Sequence, residues 1–502
     1  MSGGKSSDQT ATASTSSSPP HTLDTFRPLL KSLILSIPIP GIPSTSSSSS
    51  APPGLDEASL RHLFDHLSDP EFTSNHAHHA QLGSTLSGMR LGGLDVRPET
   101  LLVASQTFLA KCIAVESQDE VCSLTTKGEA QRRLQQEAGW VTSDVSEADL
   151  LARLTAYNGT LDLVGTGGDG QDTFNVSTTA AMVASGVPGV RSCKHGAKAS
   201  SSTSGSADLL LSLGIPLLSL TPATLSPLVA TCSFVFLFAQ LFHPSLAPLG
   251  PIRRALGHPT IFNVLGPLIN PARPRRCILG VHSAYLGNIF AEALRKRGCE
   301  RAWVVCGKEG LDEISIEGET DVWELDGNDI RHITISPQDF GLQSYPLTQV
   351  ASYTSDENAA IVLRLLGARD YPDSTDPPSL ASSVPSAANL EAIEAYTILQ
   401  ASALLYVGGH ANSYTEASRL ARQSMKSGAA LRSLREFRAK AKEAVMQREK
   451  EIAAAGEEEK RRREREEQDA RASVAHDRKT GDDGFFYAPA PSRSVGVGTE
   501  DA

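Results

Sequence analysis

The chain has 502 residues and a formal net charge of −11, with 46 Lys and Arg against 57 Asp and Glu. That length allows a large core in two structural units with tails to spare, and the acidic balance argues against a nucleic-acid surface as its main business. Its seven cysteines are scattered singly with no CxxC pair, which indicates neither a zinc site nor a disulfide framework and fits the reduced thiols of a cytoplasmic protein.

In chain order, residues 1–25 form a Ser/Thr-rich tail and 44–50 repeat that bias, both too poor in apolar residues for a core. Between them, 26–36 predicts a docking helix ended by Pro38 and Pro40. Apolar residues at three and four spacing predict helices over 60–67 and 99–113, with Pro98 near the start of the second, so 26–115 reads as part of a helical domain. The charged and amide-rich segment 116–160 reads as an inserted or linker segment. The longest apolar stretch, 225–242, is broken by Pro227, Thr231, Ser233 and Gln240; it predicts a buried strand and helix and no membrane span.

From 161 onward, strand-like runs at 161–164, 234–238, 277–281, 301–306 and 322–325 alternate with helical segments such as 285–297. Alternation of that kind predicts an α/β fold: a larger domain over 161–438 with a mostly parallel sheet flanked by helices, after a small all-helical N-terminal domain. Helices over 390–406 and 415–427 close the domain after a Ser/Ala/Pro loop at 381–388. Residues 439–502 begin charge-dense, with opposite signs at helical spacing and no a/d heptads, which predicts a solvated or disordered helix and then a tail.

The chemistry gathers between 161 and 214. A short strand delivers the backbone into GTGGDG, with Gly165, Gly167, Gly168 and Gly170, where absent Cβ atoms let amides face an anion. Asn175-Val176-Ser177-Thr178 follows as a polar N-cap cluster opening a helix over 179–185, whose free amides and dipole also favour phosphate. An apolar run at 187–191 leads to Lys194-His195-Gly196-Ala197-Lys198 and the hydroxyl-rich string 200–206, a third phosphate or sugar contact before a helix over 207–213. Three such loops fit a ligand lying along one edge of an α/β sheet. Gly165-x-Gly167-x-x-Gly170 matches the dinucleotide fingerprint only formally, because no helix opens at the third glycine and no acidic residue follows about 20 positions on. Asp312-Glu313, taken alone, reads as a solvated turn.

GTGGDG, NVST, KHG and GSADLLLSLG, followed in order by FAQLFHPSLA, IRRALGHPTIFNVLGPLINP and GLDEIS, resemble the anthranilate phosphoribosyltransferase family over about 56–437. The resemblance implies a helical unit that also draws on residues near 225–255, and a homodimer associating through it. It implies as substrates phosphoribosyl diphosphate and anthranilate, with Mg2+ as cofactor, and neither nucleic acid nor membrane as partner. Gly165, Gly168, Asp169, Thr173, Asn175, Val176, Ser177 and Thr178 would hold the diphosphate side of the donor. Lys194, His195, Gly196, Lys198, Ser201, Ser202 and Ser206 would hold its remaining phosphate and ribose. Anthranilate would meet Gly165, Ala197, His243 and Arg253; Ser177, Asp312 and Glu313 would hold the magnesium.

No acid or base catalyst is implied, since an aromatic amine is already nucleophilic and positioning with charge neutralisation carries the reaction. Three departures stand out: Ala197 where most members carry Asn, Lys198 for Arg, and His258-Pro259 for a hydrophobe-Arg pair. One alternative is a catalytically silent relative that binds nucleic acid, which calls for a basic face this acidic chain does not advertise. Another is a pyrimidine-nucleoside phosphorylase, whose Ser-Gly-Arg stretch is missing.

Overall fold

The computed structural model describes residues 21–37, 55–115, 140, 157, 159–199, 202–377 and 384–480, with 472–480 described by backbone alone. The head 1–20, the Ser-rich stretch 44–50, most of 116–160, part of the loop 381–388 and the tail from 481 lie outside the described residues. The chain divides into two compact units, Met1–Val445 and Met446–Ala502.

Seven strands organise the first unit: β1 (Leu161–Gly165), β2 (Ser192–Gly196), β3 (Phe234–Phe238), β4 (Arg276–Gly280), β5 (Arg301–Gly307), β6 (Thr320–Asp326) and β7 (Asp329–Ile335). Their order is β3-β2-β1-β4-β5-β6-β7; β3 through β5 run parallel, and β6 and β7 add an antiparallel edge. The parallel strands are almost continuously apolar because both faces are buried. Side chains alternate between two cores: Ile278, Trp303 and Val305 enter one, while Cys277, Leu279, Ala302 and Val304 enter the other.

The first core is closed by the helices Val176–Ser185, Leu390–Val407 and Tyr414–Lys426. The second is shared with Glu57–Leu67, His79–Leu91, Pro98–Ala110, Leu249–Leu256, Ile261–Leu265 and Tyr285–Lys296. The helical layer and the sheet therefore share one apolar interior. The stretch read as a buried strand and helix is the helix Pro222–Thr231 followed by β3. Among the described residues no helix is long and apolar enough to cross a membrane.

Two elements differ from the sequence reading. The apolar run 187–191 is a turn, and the strand is the polar SCKHG that follows, in which Ser192, Lys194 and His195 are buried. The Lys194 ammonium finds partners on neighbouring elements, at the Leu163 carbonyl and Ser177, and a polar strand of this kind gives no hydrophobic signal. Strand β7 escaped notice because its central residues Arg331 and His332 are exposed; a two-residue turn with Gly327 at φ 61° pairs Asp326 with Asp329 and folds it onto β6.

The final helix, Ala429–Thr480, packs Leu434, Phe437 and Ala441 into the first core. Residues 446–471, within the second unit, are almost wholly exposed and carry ion pairs one turn apart, such as Arg463 with Glu459 at 3.0 Å. Pairs of that kind contribute only about 0.3–0.5 kcal/mol each.

Candidate active site

Strands β1 and β4 end side by side on Gly165 and Gly280. A Cβ at Gly165 would lie 2.2 Å from Asp312 Oδ2, and one at Gly280 would lie 1.6 Å from the Asp312 carbonyl oxygen. The paired glycines thus leave room for the loop beyond β5 to seat Asp312 on the carboxyl edge of the sheet. There the Gly167 amide donates to Asp312 Oδ2 at 2.5 Å, and the Thr166 amide to the Gly280 carbonyl at 2.9 Å. Gly167, Gly168 and Gly170 take φ of 71°, 83° and 72°, the left-handed region in which glycine is at no disadvantage. Gly165, expected as a ligand contact, is required here first of all for the approach of Asp312.

Both acids lie deep among protein atoms while keeping an edge partly open to solvent. Burial, and then the nearby charge of Asp169, push Asp312 up to about 7. Burial, and then the charge of Asp312, push Glu313 up to about 8, against a hydrogen bond donated by the Tyr396 hydroxyl to Glu313 Oε2. Lys194 faces them from β2. From the strand itself, its buried ammonium donates to the Leu163 carbonyl at 2.5 Å and to Ser177 Oγ at 3.2 Å. Burial lowers its pKa, while Asp162, Glu313 and Asp312 hold its charge in place.

Three carboxyls thus act on a single lysine. The hard oxygens of Asp312, Glu313 and Ser177, with carboxyl charges that burial and mutual repulsion disfavour until a cation balances them, fit a divalent cation such as magnesium. Among the described residues no group of three or more His, Cys, Asp or Glu makes a metal cage from protein alone, which agrees with an ion that keeps waters and substrate oxygens.

The expected donor-site residues occupy three loops laced together by side chains that the sequence reading passed over. Asn175, expected to cap its helix, makes no capping bond. Its amide instead donates to the Ser204 carbonyl at 2.8 Å and accepts from Ser204 Oγ at 2.9 Å and from buried Asn358 at 3.0 Å. Thr178 donates to Ser206 Oγ at 3.0 Å, tying the helix to the hydroxyl-rich loop, while Val176 turns its side chain into the core. Asp172 accepts from the Thr203 amide at 3.0 Å and from its hydroxyl, and Thr173 bridges to Ala351. Lys198 and Ser202 are exposed, and Ser201 lies outside the described residues. At Gly196 a Cβ would press on the Phe236 ring at 2.9 Å, so the strand end needs glycine.

Farther along the edge, the His195 and His243 rings meet edge to face at 5.1 Å. Burial drives both pKa values down, to about 3 and about 4, so both imidazoles are neutral at physiological pH. Among the described residues, Nε2 of His195 and both ring nitrogens of His243 have no hydrogen bond of good geometry, although the backbones of Gly266 and Ile269 come near the two rings. Ala197 presents an exposed methyl group beside this pair in sequence.

Of the two neighbouring arginines on the helix Leu249–Leu256, Arg254 is exposed, and Arg253 is half-buried with its guanidinium 5.5 Å from the centre of the Phe262 ring. His258 accepts from or donates to Ser87 Oγ at 3.0 Å, fastening the turn after that helix to His79–Leu91. Asn358, Tyr396 and Gln400 are the functional-looking residues missed from sequence. The available signal was a buried amide or hydroxyl inside an apolar helical run, as at Gln400 in ILQASALL.

Residues 157–431 match the model described as glycosyl transferase family, a/b domain. The chain is 46% identical over 277 residues to an anthranilate phosphoribosyltransferase of Schizosaccharomyces pombe, covering 55% of this chain and 73% of that protein. It is 41% identical over 286 residues to that of Saccharomyces cerevisiae, covering 55% and 71%. The solved structure of the Saccharomyces cerevisiae enzyme in complex with PRPP and Mg superposes with a TM-score of 0.64 at 29% identity, over 84% of this chain and 99% of that one. The same enzyme in complex with 4-fluoroanthranilate gives 0.61 at 27% identity, over 84% and 99%.

Proposed function

The chain belongs to the anthranilate phosphoribosyltransferases of that glycosyl transferase family, and from this premise we propose that it transfers the phosphoribosyl group of 5-phosphoribosyl 1-diphosphate to the amine of anthranilate. The products are N-(5-phosphoribosyl)anthranilate and diphosphate, a step of tryptophan biosynthesis. The observation that carries the reading is the acid pair seated on Gly165 and Gly280 beside the glycine-rich loop, close enough for its charge to act on Lys194.

The bond from the ribose anomeric carbon to diphosphate breaks, a bond to the anthranilate nitrogen forms, and the amine gives up a proton. Amides and hydroxyls of Gly165, Gly168, Asp169, Thr173 and 175–178 receive the diphosphate. His195, Gly196, Lys198, Ser201, Ser202 and Ser206 receive the ribose and its phosphate. Lys194 acts from behind, holding Ser177 Oγ in place. Asp312, Glu313 and Ser177 would hold Mg2+, which when bound neutralises charge developing on the leaving oxygens. Arg253 supplies a planar fork to the anthranilate carboxylate, and Gly165, Ala197 and the neutral imidazole of His243 line the ring's pocket. Because no strong base is needed, holding the amine against the anomeric carbon supplies most of the acceleration.

Purified protein with phosphoribosyl diphosphate and Mg2+ should extinguish anthranilate fluorescence. Persistence of the signal at every magnesium concentration would favour the silent relative. A homodimer through the helical layer is supported by Leu35 and Leu91, 75% and 77% exposed on helices that pack together, and sedimentation reads it directly. A cytoplasmic location is supported by six free cysteines among the described residues; fractionation tests it.

A further inference from the structure

The acid pair is backed by the helix Leu390–Val407, which also packs on the helix Val176–Ser185. Tyr396 and Gln400 stand one turn apart, on one face of that helix. The Gln400 amide clasps the main chain just past the acids: Nε2 donates to the Ile314 carbonyl at 2.6 Å, and Oε1 accepts from the Ile314 amide at 3.4 Å. The Tyr396 hydroxyl donates to Glu313 Oε2 and also interacts with the side chain of Thr173, at the end of the glycine-rich loop. Tyr396 is 0% exposed and Gln400 likewise, so both are fixed by packing.

A hydroxyl in that position restricts the rotation of a carboxylate that would otherwise swing about its side-chain bonds, and it leaves the second oxygen, Oε1, free for a metal. We propose that Tyr396 is a positioning residue: it orients Glu313 for the divalent cation and couples the acid loop to the glycine-rich loop through Thr173. The role rests on the donor-site reading given above. It accounts for a buried hydroxyl that bonds to the acid pair, whereas the buried hydroxyls of Thr397 and Ser402 on the same helix bond back to their own helix carbonyls. Partners of this kind, one step behind a metal's own ligands, typically govern affinity by 10–100-fold.

The test is calorimetric titration of Mg2+ into the protein with phosphoribosyl diphosphate and no anthranilate, so that nothing turns over. Tyr396→Phe keeps the ring and its packing, and should raise the magnesium concentration for half-saturation about tenfold. The KM for anthranilate at saturating magnesium should stay unchanged. Glu313→Asp, which draws the carboxylate back from the hydroxyl, should raise half-saturation as well, and the two changes together should cost no more than the larger alone. An unchanged magnesium curve in Tyr396→Phe alongside a lowered Tm would reduce the hydroxyl to a packing role and overturn the proposal; so would strict additivity of the two changes. The unmodified protein is the separate control: no heat there refutes the donor-site reading itself.

Discussion

The two halves of the site are built to different degrees of completeness. At the ends of β1, β4 and β5 the chain supplies its own partners: Gly167 and Tyr396 to the acids, Ser177 and Leu163 to Lys194, Asn358 and Ser204 to Asn175. At the ends of β2 and β3 the imidazoles of His195 and His243 keep buried nitrogens without good hydrogen bonds, and Arg253 rests on an aromatic ring with no hydrogen bond among the described residues. A buried polar group left unsatisfied costs about 1–3 kcal/mol. On the function proposed above, the first half is set by the chain's own hydrogen bonds, and the second would be completed by the substrate that enters it. That division suits a reaction in which the charged donor must be gripped firmly and the amine need only be steered.

The strongest way to break the comparison is at the first half. Asp312→Asn with Glu313→Gln should lower magnesium-dependent turnover by roughly 10²–10³, and an unaltered magnesium titration of the rate would remove the acids from the metal. Gly280→Ala should destabilise the fold by about 3 kcal/mol, the upper range for overpacking, because the new methyl group meets backbone that cannot move aside; urea denaturation measures it. At the open half the effect should be smaller and confined to one substrate. Arg253→Ala should raise the KM for anthranilate roughly 10–100-fold, the loss of a charged hydrogen bond, and leave that of the donor nearly as it was. Equal effects on both in steady-state kinetics would relocate the arginine.

The smallest expected effect is a pH dependence that separates the halves. Asp312 and Glu313 have folded pKa values of about 7 and about 8, above the 3.8 and 4.5 of the unfolded chain. Between those limits the native state binds more protons, so stability falls as pH rises. Measured against a protein in which Asp312→Asn and Glu313→Gln remove both acids, the metal-free protein should lose melting temperature between pH 5.5 and pH 8. Magnesium with diphosphate should restore the loss, and should bind more tightly toward pH 8 because its ligands must be deprotonated. His195 and His243 work the other way: depressed below 5 in the fold, they stay neutral while the unfolded imidazoles take up protons below about 6.5, so their cost to stability fades as pH rises from 5.5. Melting curves in a chelator, read as the difference from the Asp312→Asn, Glu313→Gln protein, which keeps the histidines and lacks the acids, check the sign.

Composition, alternation of apolar runs and the glycine and serine loops by themselves determined an α/β sheet with anion-binding edges, because these properties are local: a strand needs about five apolar residues and a phosphate loop a few glycines. The order of the strands, the antiparallel edge and the polar strand that carries Lys194 were beyond that reach. So were the reason for Gly165 and Gly280, the half-burial of Arg253 beside exposed Arg254, and the service of Asn358, Tyr396 and Gln400. Each joins residues far apart along the chain, 145 positions for Gly167 with Asp312 and 183 for Asn175 with Asn358. No periodicity records such pairs. Only closing the sheet and packing helices on both faces brings those groups within hydrogen-bonding distance, where burial sets their charge and a single Cβ decides whether they fit.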